Sequence, residues 1–246
     1  MVTEHRIATQ EEWQAERDAL LKEEKELTRR SDELTKKRQE LPWVQVEKDY
    51  RFETEGGTKG LADLFDGRSQ LMVYHFMFGP PYTAGCPVCT SIADTLVPQV
   101  PHLKARDTTL LLASRAPLER LLAYRERMGW EIPWVSSGGT DFNRDLGFQY
   151  TEDELKPFLD SEIPPTVEKF ARMCGTDALG YVTEGPGMSV YAREDGTVYR
   201  TYVSTARGLE VPGMAYYALL DRTPRGRDEG ATEPLWLRRH DEYEAS

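Results

Sequence analysis

The sequence holds only three cysteines in 246 residues, Cys86, Cys89 and Cys174. An odd and small number cannot build the disulfide framework of a secreted scaffold. No apolar run approaches the ~20 residues of a membrane span. The opening Met1-Val2-Thr3-Glu4-His5-Arg6 lacks the apolar core of a secretory signal. Basic charge is also short, with 31 Lys and Arg against 42 Asp and Glu, a net charge of −11. That balance argues against nucleic acid or an anionic membrane as the main partner. The expectation is a cytoplasmic protein, with thiols kept reduced. Histidines number four, none at finger spacing from a cysteine. Structural zinc needs four ligands, so neither a metal nor a cofactor is expected.

What is present is concentrated between Leu71 and Val97. Leu71 to Phe78 is almost wholly apolar or aromatic and reads as a buried strand. Gly79-Pro80-Pro81 breaks it. Gly85-Cys86-Pro87-Val88-Cys89 then leads into Thr90 to Val97. Pro87 suits the first residue of a helix, which makes Cys86 the N-cap or its neighbour and places Cys89 about one turn in. The positive end of a helix and its unpaired N–H groups favour thiolate over thiol. A cysteine there can fall from ~8.5 into the range ~3.5–7.5. Cys86 is therefore expected to be the attacking thiol and partly exposed. Cys89 is expected to be buried on the same face and to resolve. Strand, loop, C-x-x-C and helix together read as a thioredoxin-like redox site.

The rest of the chain frames this stretch. Residues 9–40 read as one charged helix, opened by Thr9 with Glu12 as a capping box. Trp13, Leu20, Leu27, Leu34 and Leu41 recur every seven residues. One apolar line is thin for a two-stranded coiled coil, so a narrow contact stripe is expected. Val44 to Phe52 reads as a strand or extended arm, and Leu61, Leu64 and Phe65 as a short helix. Asp107 to Ser114 reads as a second buried strand, Ala116 to Met128 as an amphipathic helix closed by Gly129, and Ile132 to Ser136 as a third strand. That is a β-α-β-α-β unit, whose ligands collect at the carboxyl ends of the strands. Ser114-Arg115 and Ser136-Ser137 fall at that edge with Cys86. Residues 138–180 read as an insertion with one or two helices, Thr151 and Glu154 offering another capping box. Met188 to Arg193 and Val198 to Val203 form a hairpin across Asp195-Gly196. Pro212 to Leu220 is a last helix. Trp236 and Tyr243 in the polar tail suggest anchoring to a surface.

The order of elements is that of a thioredoxin-like α/β fold. Its parts are an N-terminal helical arm (1–43), a core domain (44–222) with a helical insertion near 138–180, and a C-terminal tail (223–246). The segments EEWQAER, LPWVQVEKDYRFE, YHFMFGP, GCPVC, SRAPLERLLAYRERMGW, PWVSS, DFN, ARGL and RRHDEY resemble the bacterial thioredoxin-like family known as domain of unknown function 899. The resemblance runs from about Trp13 to Tyr243. It implies a dithiol–disulfide oxidoreductase.

Three functions compete. The first is thiol–disulfide exchange with a protein or small-molecule substrate, through Cys86 and Cys89. The second is a peroxiredoxin-like thiol peroxidase. It draws on Thr83, three residues before Cys86, and on Arg115, placed to stabilise a thiolate or peroxide oxygen. The third is a redox-silent thioredoxin-fold binding or dimerisation protein, and with any of the three a homodimer through the N-terminal helix or the C-terminal tail is compatible. His75 is expected to be a packed strand residue and Cys174 a bystander. Thr83, Pro87 and Arg115 are the expected supports of the site.

Overall fold

A computed structural model describes residues 6–160, 163–205, 207–229 and 235–243. The residues read above for a secretory signal (1–5) and part of the tail lie outside that description. The chain divides into two compact units, Met1–Pro42 and Trp43–Ser246.

The first unit is built on helix α1, Gln10–Gln39. Its start is set locally. The Thr9 hydroxyl accepts the Glu12 N–H at 3.2 Å, and the Glu12 carboxylate accepts the Thr9 N–H at 2.8 Å, a complete capping box. Lys36, Lys37 and Arg38 fill the last turn, where cations suit the negative helix end. None of the α1 residues is buried.

The second unit carries an eight-stranded sheet in the order β1-β8-β7-β4-β5-β6-β2-β3. In chain order these are β1 (Val44–Gln45), β2 (Arg51–Thr54), β3 (Gly57–Gly60), β4 (Gln70–His75), β5 (Thr108–Ser114), β6 (Trp134–Ser136), β7 (Gly187–Glu194) and β8 (Thr197–Thr205). Helix α2 (Pro87–Leu96) and the short α3 (Val100–Lys104) join β4 to β5, and α4 (Leu118–Arg127) joins β5 to β6. Strands β4, β5 and β6 run parallel, while β7 lies antiparallel against β4 and β8 against β7. The β7–β8 turn has both Asp195 (φ 48) and Gly196 (φ 81) left-handed, as a tight hairpin requires. This is the thioredoxin-like α/β arrangement expected from the order of elements.

Alternation along β4 divides two cores. Leu71, Val73 and His75 point to one face, where Leu71 and Val73 join Phe52, Leu111 and Phe142. Tyr74 and Phe76 point to the other, with Leu110, Leu112, Trp134 and all three cysteines. His75 thus lies across the sheet from the dithiol. It is fully buried between the rings of Phe142 and Phe148 and shares a 2.8 Å hydrogen bond with Ser189.

Two readings need correction. Strand β4 stops at His75 rather than Phe78, because its partners β5 and β7 run out at that level. Between β6 and β7 the described residues contain four helices rather than one or two: α5 (Phe142–Asp145), α6 (Glu152–Leu159), α7 (Pro165–Met173) and α8 (Ala178–Val182). Helices of four or five residues are too short to show a 3.6-residue period. The longer α6 does open on the expected Thr151–Glu154 box. After β8 come α9 (Arg207–Gly213) and α10 (Ala215–Leu220).

Candidate dithiol site

Local sequence sets the position of Cys86. Pro87 is the first residue of α2, where a missing N–H costs nothing, and Cys86 is the N-cap. Its carbonyl accepts the first helical hydrogen bond, from the Thr90 N–H at 2.9 Å. Gly85 precedes it for a steric reason. A Cβ there would lie 2.6 Å from the Phe76 ring and 3.0 Å from Tyr124. Met77, just past β4, ties both cysteines to the strand end. Its carbonyl accepts the Cys86 N–H at 3.1 Å, and its N–H donates to Cys89 Sγ at 3.4 Å.

Both cysteines are free thiols. Tyr181 from α8 places its hydroxyl 3.2 Å from Cys86 Sγ. Burial alone pushes the Cys86 thiol up. Hydrogen bonds from the Cys89 thiol and the Tyr181 hydroxyl, with the Cys89 and Val88 N–H groups, outweigh it and bring Cys86 down to about 7. Cys89 moves the other way. Burial raises it, and so does the hydrogen bond it makes to Cys86. The two thiols of the pair are thus shifted in opposite directions. Burial likewise raises Cys174.

Cys86 was expected to be partly exposed, but it is 0% exposed, as is Cys89. Part of the cover comes from the C-terminal tail. Leu237 joins the same core as the cysteines. Arg239, only 3% exposed, donates to the Gly85 carbonyl at 2.7 and 3.0 Å and to the Met173 carbonyl at 2.7 Å. One guanidinium thus fastens the loop before Cys86 to the C-terminal end of α7, next to Cys174. Outside the core, Arg127 holds Asp241 at 2.7 Å and His240 meets Asp94 at 2.7 Å. Trp236 and Tyr243, the aromatics expected to anchor the tail, lie with ring centroids 6.5 Å apart in a tilted arrangement and remain partly exposed.

The remaining sequence candidates have other partners. Thr83 donates its N–H to the Cys174 carbonyl at 2.8 Å and its hydroxyl to the same oxygen at 3.3 Å. Gly175, beside it, is left-handed (φ 70), and a Cβ there would meet Thr83 Oγ1 at 2.0 Å. Arg115 donates to Glu184 at 2.7 Å. The Glu184 carboxylate is buried, which pushes it up to about 7 despite the opposing guanidinium. Ser114 and Ser137 lie at the expected sheet edge but spend their hydroxyls on Phe76 O and Asn143. Cys174 lies closer to the site than its sequence context suggests, since its backbone anchors the loop that leads to Cys86.

Three residues that contact the site escaped the sequence reading: Tyr181, Arg239 and Thr90. The Thr90 hydroxyl donates to the Cys86 carbonyl at 2.9 Å and meets the Tyr124 hydroxyl at 2.8 Å. Thr90 follows the C-x-x-C directly and could have been suspected. Tyr181 and Arg239 lie 95 and 153 residues beyond Cys86, and nothing local marks them.

A profile of the bacterial protein family of unknown function DUF899 matches residues 2–243. The chain belongs to this family. No curated protein matches the sequence. Among solved structures, this DUF899 member is similar to the Xanthomonas campestris bacterioferritin comigratory protein, studied for alkyl peroxide reduction. The two share 15% identity over 71% of this chain and 98% of the other, with a TM-score of 0.42. Peroxidoxin BcpB from Mycobacterium tuberculosis gives 10% identity, 72% and 98% coverage and a TM-score of 0.42. Plasmodium yoelii Prx1a gives 11%, 72% and 84%, and 0.44. At these scores no residue correspondence follows for the DUF899 chain.

Proposed function

We propose that the protein is a thiol–disulfide oxidoreductase in which Cys86 attacks and Cys89 resolves. One observation carries this reading. The N-cap sulfur of α2 lies 3.2 Å from the Tyr181 hydroxyl, and its surroundings lower Cys86 while burial raises Cys89. An asymmetric pair is what exchange chemistry needs, with one sulfur ionised to attack and one held protonated until called on.

The steps balance without a cofactor. The Cys86 thiolate attacks one sulfur of a substrate disulfide. That S–S bond breaks, and the other substrate sulfur leaves with the electron pair. Cys89 then passes its proton to the departed thiolate and attacks Cys86 Sγ, breaking the bond between Cys86 and the substrate sulfur. The Cys86–Cys89 disulfide forms, and the second substrate thiol leaves reduced. A dithiol reductant restores the pair by the reverse route.

Exchange is favoured over a thiol peroxidase by the partners of two residues. Thr83 and Arg115, the candidates for holding a peroxide at Cys86, are bonded to Cys174 and Glu184.

The test is iodoacetamide labelling against pH, read by mass spectrometry at each cysteine. Cys86 is expected to label first among the three, titrating below the free value of ~8.5. Cys86→Ser should abolish exchange. Cys89→Ser should trap a mixed disulfide, because the attacking thiolate survives and its resolver does not. Labelling of Cys86 no faster than Cys174, with no trapped species, would leave the fold as a redox-silent scaffold.

A further inference from the structure

Five large apolar side chains follow one edge of α1 and its C-terminal flank without being buried. Trp13, Leu20, Leu27, Leu34 and Leu41 are 54%, 52%, 71%, 50% and 44% exposed. Single exposed leucines are ordinary. Five spaced by seven are not, because an α-helix drifts only ~20° per heptad and keeps them in line. Such a line marks an interaction surface.

Charge along α1 selects the partner. Residues 10–24 hold six acidic and two basic side chains, whereas 25–39 hold six basic and three acidic. A second helix of this kind laid parallel would set like halves together. Laid antiparallel, it sets each acidic half on a basic half. The stripe has the same symmetry about Leu27, with Trp13 facing Leu41, Leu20 facing Leu34, and Leu27 facing itself. Flanking the stripe on its i+3 side are Glu16, Glu23, Arg30 and Lys37, and on its i+4 side Arg17, Glu24, Ser31 and Arg38, where Arg17 is paired with Glu24 of its own helix. Antiparallel pairing brings Glu16 to Lys37 and Glu23 to Arg30. Parallel pairing sets each against its own kind. Glu26, near the centre, is neutralised within its own helix by Arg29 and Arg30.

We propose that α1 pairs antiparallel with α1 of a second copy of this chain, about a two-fold axis through Leu27. The contact is isologous, so it closes at two chains. It takes its apolar term from the stripe and its orientation from the charge halves.

The experiment uses the full chain. Sedimentation equilibrium should show a dimer that weakens in about 1 M NaCl, where the Debye length is ~3 Å. Leu27→Glu should lose the dimer while helix content stays unchanged, since Leu27 is exposed. Orientation is read by oxidative cross-linking. A mixture of Leu20→Cys and Leu34→Cys chains should give the 20–34 disulfide, and Leu20→Cys alone should give none. A monomeric parent chain would overturn the proposal. So would a dimer that survives Leu27→Glu, or self-cross-linking at position 20, which reports a parallel pair.

Discussion

At the scale of single residues, Tyr181 and Glu184 illustrate opposite uses of burial. The Tyr181 hydroxyl bonds Cys86 Sγ at 3.2 Å in a buried site. A hydrogen bond to a charged group contributes about 1.5 kcal/mol or more, which is roughly one unit of thiol ionisation. Tyr181→Phe should therefore raise the pH midpoint of Cys86 labelling by about one unit. A midpoint left unmoved would remove Tyr181 from the proposed site. Glu184 works against the fold instead. Its folded value, about 7, lies above the ordinary 4.5. The native state therefore holds the proton more tightly than the unfolded chain. The stability this gives is fully present below about pH 4.5 and is lost as pH rises through about 7. The full span is on the order of 3 kcal/mol. Urea denaturation at pH 5 and pH 8 should show a loss in the parent chain that Glu184→Gln removes. If both chains respond alike to pH, the carboxylate titrates normally.

At the scale of elements, the tail and α2 divide the work at Cys86. Helix α2 is legible from its own residues. Pro87 sets its first turn, and the cysteine spacing puts both sulfurs on one face. The cover is not legible. RRHDEY reads as a charged segment, yet Arg239 is buried and holds three hydrogen bonds to the carbonyls of Gly85 and Met173. A guanidinium satisfies the carbonyl of loop residue Gly85 and a last-turn carbonyl of α7, groups that the helix and strand ladders leave unpaired. Ending the chain at residue 234 removes both Leu237 and Arg239. Iodoacetamide should then label Cys86 at least about tenfold faster at pH 8, a change of ~1.4 kcal/mol in barrier. Arg239→Ala should move the rate in the same direction with the second unit still folded by circular dichroism. An unchanged rate in both would mean the tail does not control access.

Across the whole molecule, the sheet separates two cores, and mutations on its two faces should differ in consequence. Leu111 and Leu112 are adjacent on β5 and nearly fully buried, yet they belong to different cores. Each truncation to Ala should cost ~2–5 kcal/mol in chemical denaturation. Only Leu112→Ala, on the cysteine side, should change the rate of Cys86 labelling. Equal effects would mean that the sheet does not insulate the dithiol from the far core. His75 belongs to that far core. Burial holds its imidazole down to about 3, so it stays neutral across the physiological range and carries no proton to the cysteines.

What the sequence determined by itself is everything set by near neighbours. Capping residues placed the starts of α1 and α6. Apolar runs gave the buried strands, Asp195-Gly196 gave the hairpin, and Gly-Cys-Pro-Val-Cys gave a dithiol at a helix end. No helix among the described residues is long and apolar enough to cross a membrane. The tertiary structure decided what depends on segments far apart in the chain. It gave Arg115 to Glu184 and Thr83 to Cys174, brought Tyr181 onto Cys86, and laid Leu237 and Arg239 over the site. The reason is physical. Local propensity and periodicity are written within a few residues. The partner of a buried polar group is chosen only when packing removes its water.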